Sequence, residues 1–236
     1  MKNRFENQTI RRANDSALGY DAGLRAYMLK VYNYMALGLG LTGGVAFVSA
    51  TTSAILAVVM PLMWVFMLAP LALVFFLSFR IDKISFSTAQ TVFWLYATLN
   101  GVAFSILFLA YTGDSIARVF FITAGTFGAM SLYGYTTQKD LTGWGSFLFM
   151  GLIGIILASV VNIFVGSSPL QFLISIGGVV IFTGLTAYDT QVIKEGYVQG
   201  FDDEVSGKQA IFGALRLYLD FINLFISLLR LLGDRR

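Results

Sequence analysis

The 236-residue chain is 57% hydrophobic and 12% charged, with a mean hydropathy of +0.75, and its apolar residues come in runs of about 20, the length that crosses a hydrocarbon core. It contains no cysteine and no histidine, which excludes disulfides, thiol nucleophiles, metal sites built on imidazole or thiolate, and a Ser-His couple. The net charge of +3 comes without a basic patch interleaved with aromatics, so no nucleic acid is expected as a partner; the expected partners are the lipid bilayer and hard, oxygen-preferring ions such as Ca²⁺, Na⁺ or H⁺.

Residues 1–25 read as a polar tail of mixed charge, with Lys2, Arg4, Arg11, Arg12 and Arg25. Val48-Ser49-Ala50 resembles a signal-peptide cleavage site, but the apolar stretch before it exceeds the usual ~7–15 residues and its polar lead is long, so an uncleaved first span is expected. Apolar runs between polar breaks predict seven spans near 28–50, 55–79, 86–111, 116–136, 144–165, 169–192 and 210–232. They form one all-α membrane domain over residues 26–236, with no soluble domain attached. Within it Gly40 and Gly44 make a GxxxG pair, and Gly125, Gly128, Gly151, Gly154, Gly177 and Gly178 add small residues that suit close helix packing. Pro61 and Pro70 are expected to kink the second span. Only Lys194–Lys208, with Asp202, Asp203 and Glu204, reads as a longer loop.

The basic residues set the orientation. With the N-terminus in the cytoplasm, twelve of the 16 Lys and Arg residues fall on the cytoplasmic side, and only Arg118, Arg230, Arg235 and Arg236 lie opposite. Three of those four sit at the end of the sequence, so a re-entrant last segment would satisfy the rule even better; seven full spans is the expectation.

Asp189, in IFTGLTAYDTQVIK, and Asp220, in LRLYLDFINLFISLL, lie inside segments otherwise built for lipid. A carboxylate at membrane depth costs about 2.5–3.5 kcal/mol on insertion scales unless paired or wetted, so each is a candidate functional residue. In the inside-N orientation both belong to the cytoplasmic half. Arg80, at the end of the second span, descends to the same side. One guanidinium beside two carboxylates would hold one as the anion and leave the pair to titrate as a coupled system, a pH switch that needs no histidine. Plainer readings stand beside this one: Asp189 as an interfacial residue, Asp220 as a local i−4 partner of Arg216, and Arg80 as an ordinary cytoplasmic anchor. Asn100, Asn162 and Asn223 suit interhelical hydrogen bonds better than ion binding. Tyr188 and Tyr218 could cap a network or pack.

AYDTQVIK followed by LRLYLDFINLFISLLRLLG resembles the Bax inhibitor-1 family of membrane proteins, bacterial branch, over nearly the whole chain. The resemblance implies a seven-helix bundle of the bacterial inner membrane with the last helix central and six around it. It also implies a pH-sensitive Ca²⁺ leak gated by an aspartate pair. By motif that pair is Asp189 and Asp220, which would also make transient Ca²⁺ contacts; calcium is then the permeant ion, and no cofactor is expected. A basic residue after the second span is associated with the pair, and Arg80 in FFLSFRIDK matches it by place. Bacterial relatives are linked to membrane-protease quality control, so a membrane-protease complex is an alternative partner. An intramembrane aspartyl protease is a further alternative, but residues 217–220 read Leu-Tyr-Leu-Asp without a Gly-x-Gly-Asp, and the last span has no proline. No enzymatic activity is expected.

Overall fold

The computed structural model describes residues 2–81 and 83–236, with side chains from residue 21 onward. The side chains of Lys2, Arg4, Arg11 and Arg12 in the expected tail, and Asp82 between Arg80 and Lys83, lie outside the described residues. The elements are α1 (Lys2–Thr51), α2 (Ser53–Val59), α3 (Met63–Arg80), α4 (Phe86–Ala110), α5 (Gly113–Thr136), α6 (Thr142–Val165), α7 (Ser168–Glu195) and α8 (Asp203–Leu232). Seven of them are long and apolar enough to cross a membrane: Asp21–Thr51 within α1, and α3 to α8. This is a multi-pass membrane protein. Its turns alternate between a first face, carrying residues 81–85, 137–141 and 196–202, and a second face, carrying 52–62, 111–112, 166–167 and 233–236.

Local chemistry sets the helix ends. Ser85, Thr112, Ser167 and Asp202 each turn a side-chain oxygen onto the backbone N–H three residues on, starting α4, α5, α7 and α8. Gly166 adopts the left-handed φ of 64° that closes α6. Before α6, Asp140 accepts the Thr142 N–H at 2.8 Å, and Thr142's donors hold this carboxyl below the usual carboxylate range.

Two expected boundaries are corrected. The second span does not run from 55 with a kink at Pro61. The chain breaks there into the short α2 and a turn over 60–62, and only Pro70 lies inside α3, because a proline ring removes the N–H that would continue the helix. The expected loop 194–208 is mostly helix: α8 begins seven residues earlier than predicted. Asp202 caps it, Asp203 and Glu204 sit in its first turn, and the helix dipole favours acids at that end.

α8 is the centre of the bundle. In its most apolar stretch 67% of residues are buried, against 6% in α6. It packs on α1, α4, α5 and α7, while α3 leans on α4 and α6 on α7. Its 30 residues span about 45 Å, enough to cross without re-entering. Past its end, residues 232–236 are clipped to the α4–α5 turn. Arg118 binds the Asp234 carboxylate at 2.9 Å and the Leu232 carbonyl at 3.2 Å, and Ser115 Oγ accepts the Asp234 N–H at 2.8 Å.

The glycines that bring helices together are not the expected pair. A Cβ at Gly40 or Gly44 would meet nothing, so this GxxxG serves no contact here, and the same holds for Gly125, Gly128 and Gly154. A Cβ at Gly134 would collide with the Ala187 backbone, and one at Gly178 with the Ser227 hydroxyl. Those two, with Gly145 beneath the Tyr188 ring, set how closely α5, α6 and α8 approach α7.

Candidate functional site

α7 and α8 run antiparallel, and their register can be read from two contacts: Gly213 lies against Ile193, and Gly178 against Ser227. On that register Asp189 is level with Arg216, and Asp220 lies about one turn deeper. Side chains on a helix lean toward its N-terminus. Asp189 therefore leans inward from the first face and Asp220 leans toward it. The two carboxylates converge within side-chain hydrogen-bonding range. Both are withdrawn from solvent, 9% and 4% exposed. Arg216 Nη1 stands 3.6 Å from Asp189 Oδ1, a partly open ion pair whose arginine is 38% exposed. Asp220 Oδ2 is buried and has no hydrogen-bond partner.

Asp220 also lines a cavity of about 1070 Å³ bounded by α3, α6, α7 and α8. α8 presents to it Arg216, Asp220, Asn223, Ser227 and Arg230, spaced by steps of four, three, four and three residues, which places all five on one helix face. Asn223 donates to the Leu219 carbonyl at 2.8 Å and Ser227 to the Asn223 carbonyl at 2.7 Å. Both side chains thus donate within α8, and the Ser227 hydroxyl lies against Gly178 of α7. The result is a polar stripe from Arg216 to Arg230 on a helix that is otherwise the apolar core.

The match to known proteins follows the same ground. A family model described as inhibitor of apoptosis-promoting Bax1 fits residues 24–236. A Rickettsia prowazekii protein, RP147, is 53% identical over 225 residues, covering 92% of this chain and 93% of its own. Inner membrane protein YbhL of Escherichia coli is 47% identical over 228 residues, covering 94% and 97%. A Borreliella burgdorferi protein is 49% identical over 214 residues, covering 89% and 92%. The chain belongs to the Bax inhibitor-1 family.

Of the residues that the family resemblance pointed to, the structure brings Asp189 and Asp220 together and leaves Arg80 apart. Arg80 is the exposed last residue of α3 and has no salt bridge among the described residues. Arg216 is the cation at the pair, and it meets Asp189 across the helix interface rather than Asp220 along its own helix. Asn162 does bond across helices, to Gln171 at 3.3 Å, but Asn100 and Asn223 donate to carbonyls of their own helices; a short amide side chain reaches its own i−4 carbonyl first. Tyr218 turns away from the carboxylates to Thr42 Oγ1, 2.7 Å distant, and packs edge-on against Phe93 and Tyr96. Tyr188 stays at the cavity wall. Among the described residues no three acidic side chains gather as a metal site. Two carboxylates fall short of the six to eight oxygens of a Ca²⁺ cage, and suit brief contact better than storage.

Proposed function

We propose that this Bax inhibitor-1 family protein is a pH-sensitive Ca²⁺ leak of the bacterial inner membrane, with its first face in the cytoplasm and the Asp189–Asp220 pair as its gate. The basic residues gathered on the first face support the orientation. The name of the E. coli relative supports the membrane. The observation that carries the reading is the buried, unpartnered Oδ2 of Asp220, a residue that approaches Asp189 and lines the cavity. A buried carboxylate oxygen without a donor is unfavourable unless a proton, a cation or water reaches it.

The geometry suggests how a proton acts. Arg216 offsets one negative charge of the pair. A proton held between Asp189 and Asp220 then completes the balance and ties α7 to α8 by a hydrogen bond. Losing it sets two anions against one guanidinium, and the like charges push the helices apart. Asp189 is six residues from the end of α7, about 9 Å, so the pair closes the short remaining distance between the cavity and the first face. Hard oxygens on α8 suit Ca²⁺ in transit.

Ca²⁺ flux into proteoliposomes, followed from acid to alkaline pH, tests this directly. The intact protein gives a flux that varies with pH, and Asp189→Asn or Asp220→Asn flattens the profile. A flux no greater than that of empty liposomes at every pH, or a profile unchanged in both variants, defeats the reading.

A further inference from the structure

The aspartate pair occupies one end of the cavity, and the opposite end carries a different chemistry. There, where α6 ends and α7 begins, the acceptors are satisfied and the donors are not. Asn162 Nδ2 donates to Gln171 Oε1, and Asn162 Oδ1 accepts the Ser167 N–H at 3.0 Å. Gln171 Nε2 is left buried with no partner. Arg230, in the last turn of α8, lines the same cavity and makes no salt bridge among the described residues. No acid lines the cavity on this side of Asp220.

A free guanidinium beside a free amide N–H is a donor set for a phosphate oxygen. An arginine at a helix end could snorkel to the bilayer surface by itself. The buried Gln171 donor has no such route and calls for an acceptor that comes into the cavity.

The walls leading away from this end are apolar and open sideways. Leu71 on α3, and Ile156 and Ile163 on α6, are 51%, 53% and 70% exposed, and in a bilayer that exposure is to acyl chains. The α6 wall from Asn162 to Phe149 rises about 20 Å, more than the ~15 Å depth of one leaflet's hydrocarbon. We infer that this end of the cavity is a phospholipid site: the phosphodiester sits at Arg230 and Gln171, and one acyl chain lies between α3 and α6. With no carboxylate there to receive an ammonium group, the headgroup is one of net negative charge. The site stands whether or not the cavity conducts ions.

Native mass spectrometry of the full chain, released from a neutral detergent, reads this out during titration with phosphatidylglycerol and, separately, phosphatidylcholine. The expected result is one phosphatidylglycerol retained per protein, in preference to phosphatidylcholine. Arg230→Gln weakens that retention about tenfold or more, whereas Lys139→Gln, exposed on the opposite face, leaves it unchanged. Ile156→Trp fills the groove without touching the charges, and on an exposed helix surface it leaves the fold intact; it lowers retention as well. Equal retention by the wild type, Arg230→Gln and Ile156→Trp overturns the proposal, because the lipid is then held by the general apolar belt. Displacement of the lipid by inorganic phosphate overturns it too, since the site would then recognise a free anion. Equal retention of the two lipids refutes the choice of an anionic headgroup.

Discussion

Which arginine serves the aspartate pair can be decided by a double-mutant cycle on Arg216 and Asp189. At 3.6 Å two unit charges attract by about 4–5 kcal/mol at an effective dielectric near 20. Arg216 is 38% exposed, so solvent screens a good part of that, while Asp189 keeps its desolvation penalty whether or not the guanidinium is there. Arg216→Gln is therefore expected to destabilise the protein by about 1–3 kcal/mol. Part of that loss belongs to the stacking of Arg216 over Phe212 at 5.8 Å, which the cycle subtracts. Asp189→Asn placed on Arg216→Gln removes the stranded charge and recovers at least about 1 kcal/mol. Arg80→Gln, at an exposed helix end, stays within about 0.5 kcal/mol of wild type. The assay is reversible unfolding by SDS in mixed micelles, followed by tryptophan fluorescence. Additive effects of the Arg216 and Asp189 changes would refute the ion pair as the organising contact, and a larger effect at Arg80 than at Arg216 would return that role to Arg80.

Two further outcomes are expected. Gly134→Ala drives a methyl into the Ala187 backbone and lowers stability by about 1–3 kcal/mol, whereas Gly40→Ala, which meets nothing, is neutral or stabilising by up to about 1 kcal/mol; thermal unfolding in detergent compares them, and equal losses would contradict the packing described. Asp202→Ala removes the hydrogen bond to the Val205 N–H at 2.8 Å and costs about 1 kcal/mol at the start of α8. Amide exchange in residues 203–208 should rise in that variant, and unchanged protection would show that the cap is idle.

Much of this architecture is written in the sequence, because a bilayer makes apolar run length a strong signal. Five of the seven spans lie close to their expected places, and the two buried aspartates stand out against their apolar neighbours. What sequence does not carry is the register between helices. Arg216 lies four residues before Asp220, so the chain suggests a pair along one helix; the antiparallel offset of α7 and α8 gives Arg216 to Asp189 instead. Arg80 is near the pair only in the sense of sharing a side of the membrane. The GxxxG at Gly40 misleads for the same reason, since the motif says a helix could be approached closely but not that a neighbour is there. Two further signals stand in the sequence. The run Asp202-Asp203-Glu204 is a helix start as much as a loop. The series Arg216, Asp220, Asn223, Ser227 and Arg230 keeps a helical spacing that marks one polar face on the most buried span.

The position of α8 also bears on how the protein is made. The helix that the others pack around is the seventh span in order, so six spans are already in the membrane before their common core exists. At ribosomal speed the interval between completing α7 and completing α8 is on the order of seconds. During it the side chains that will meet α8 have only lipid or one another for company. Thr42, whose hydroxyl later accepts from Tyr218, already has the Ala97 carbonyl as its own acceptor on a neighbouring span, and Asn100 already bonds within its helix. Asp189 is the exception, because both its partners, Arg216 and Asp220, arrive on α8; what awaits the last span is an apolar hollow with one stranded carboxyl group on its wall.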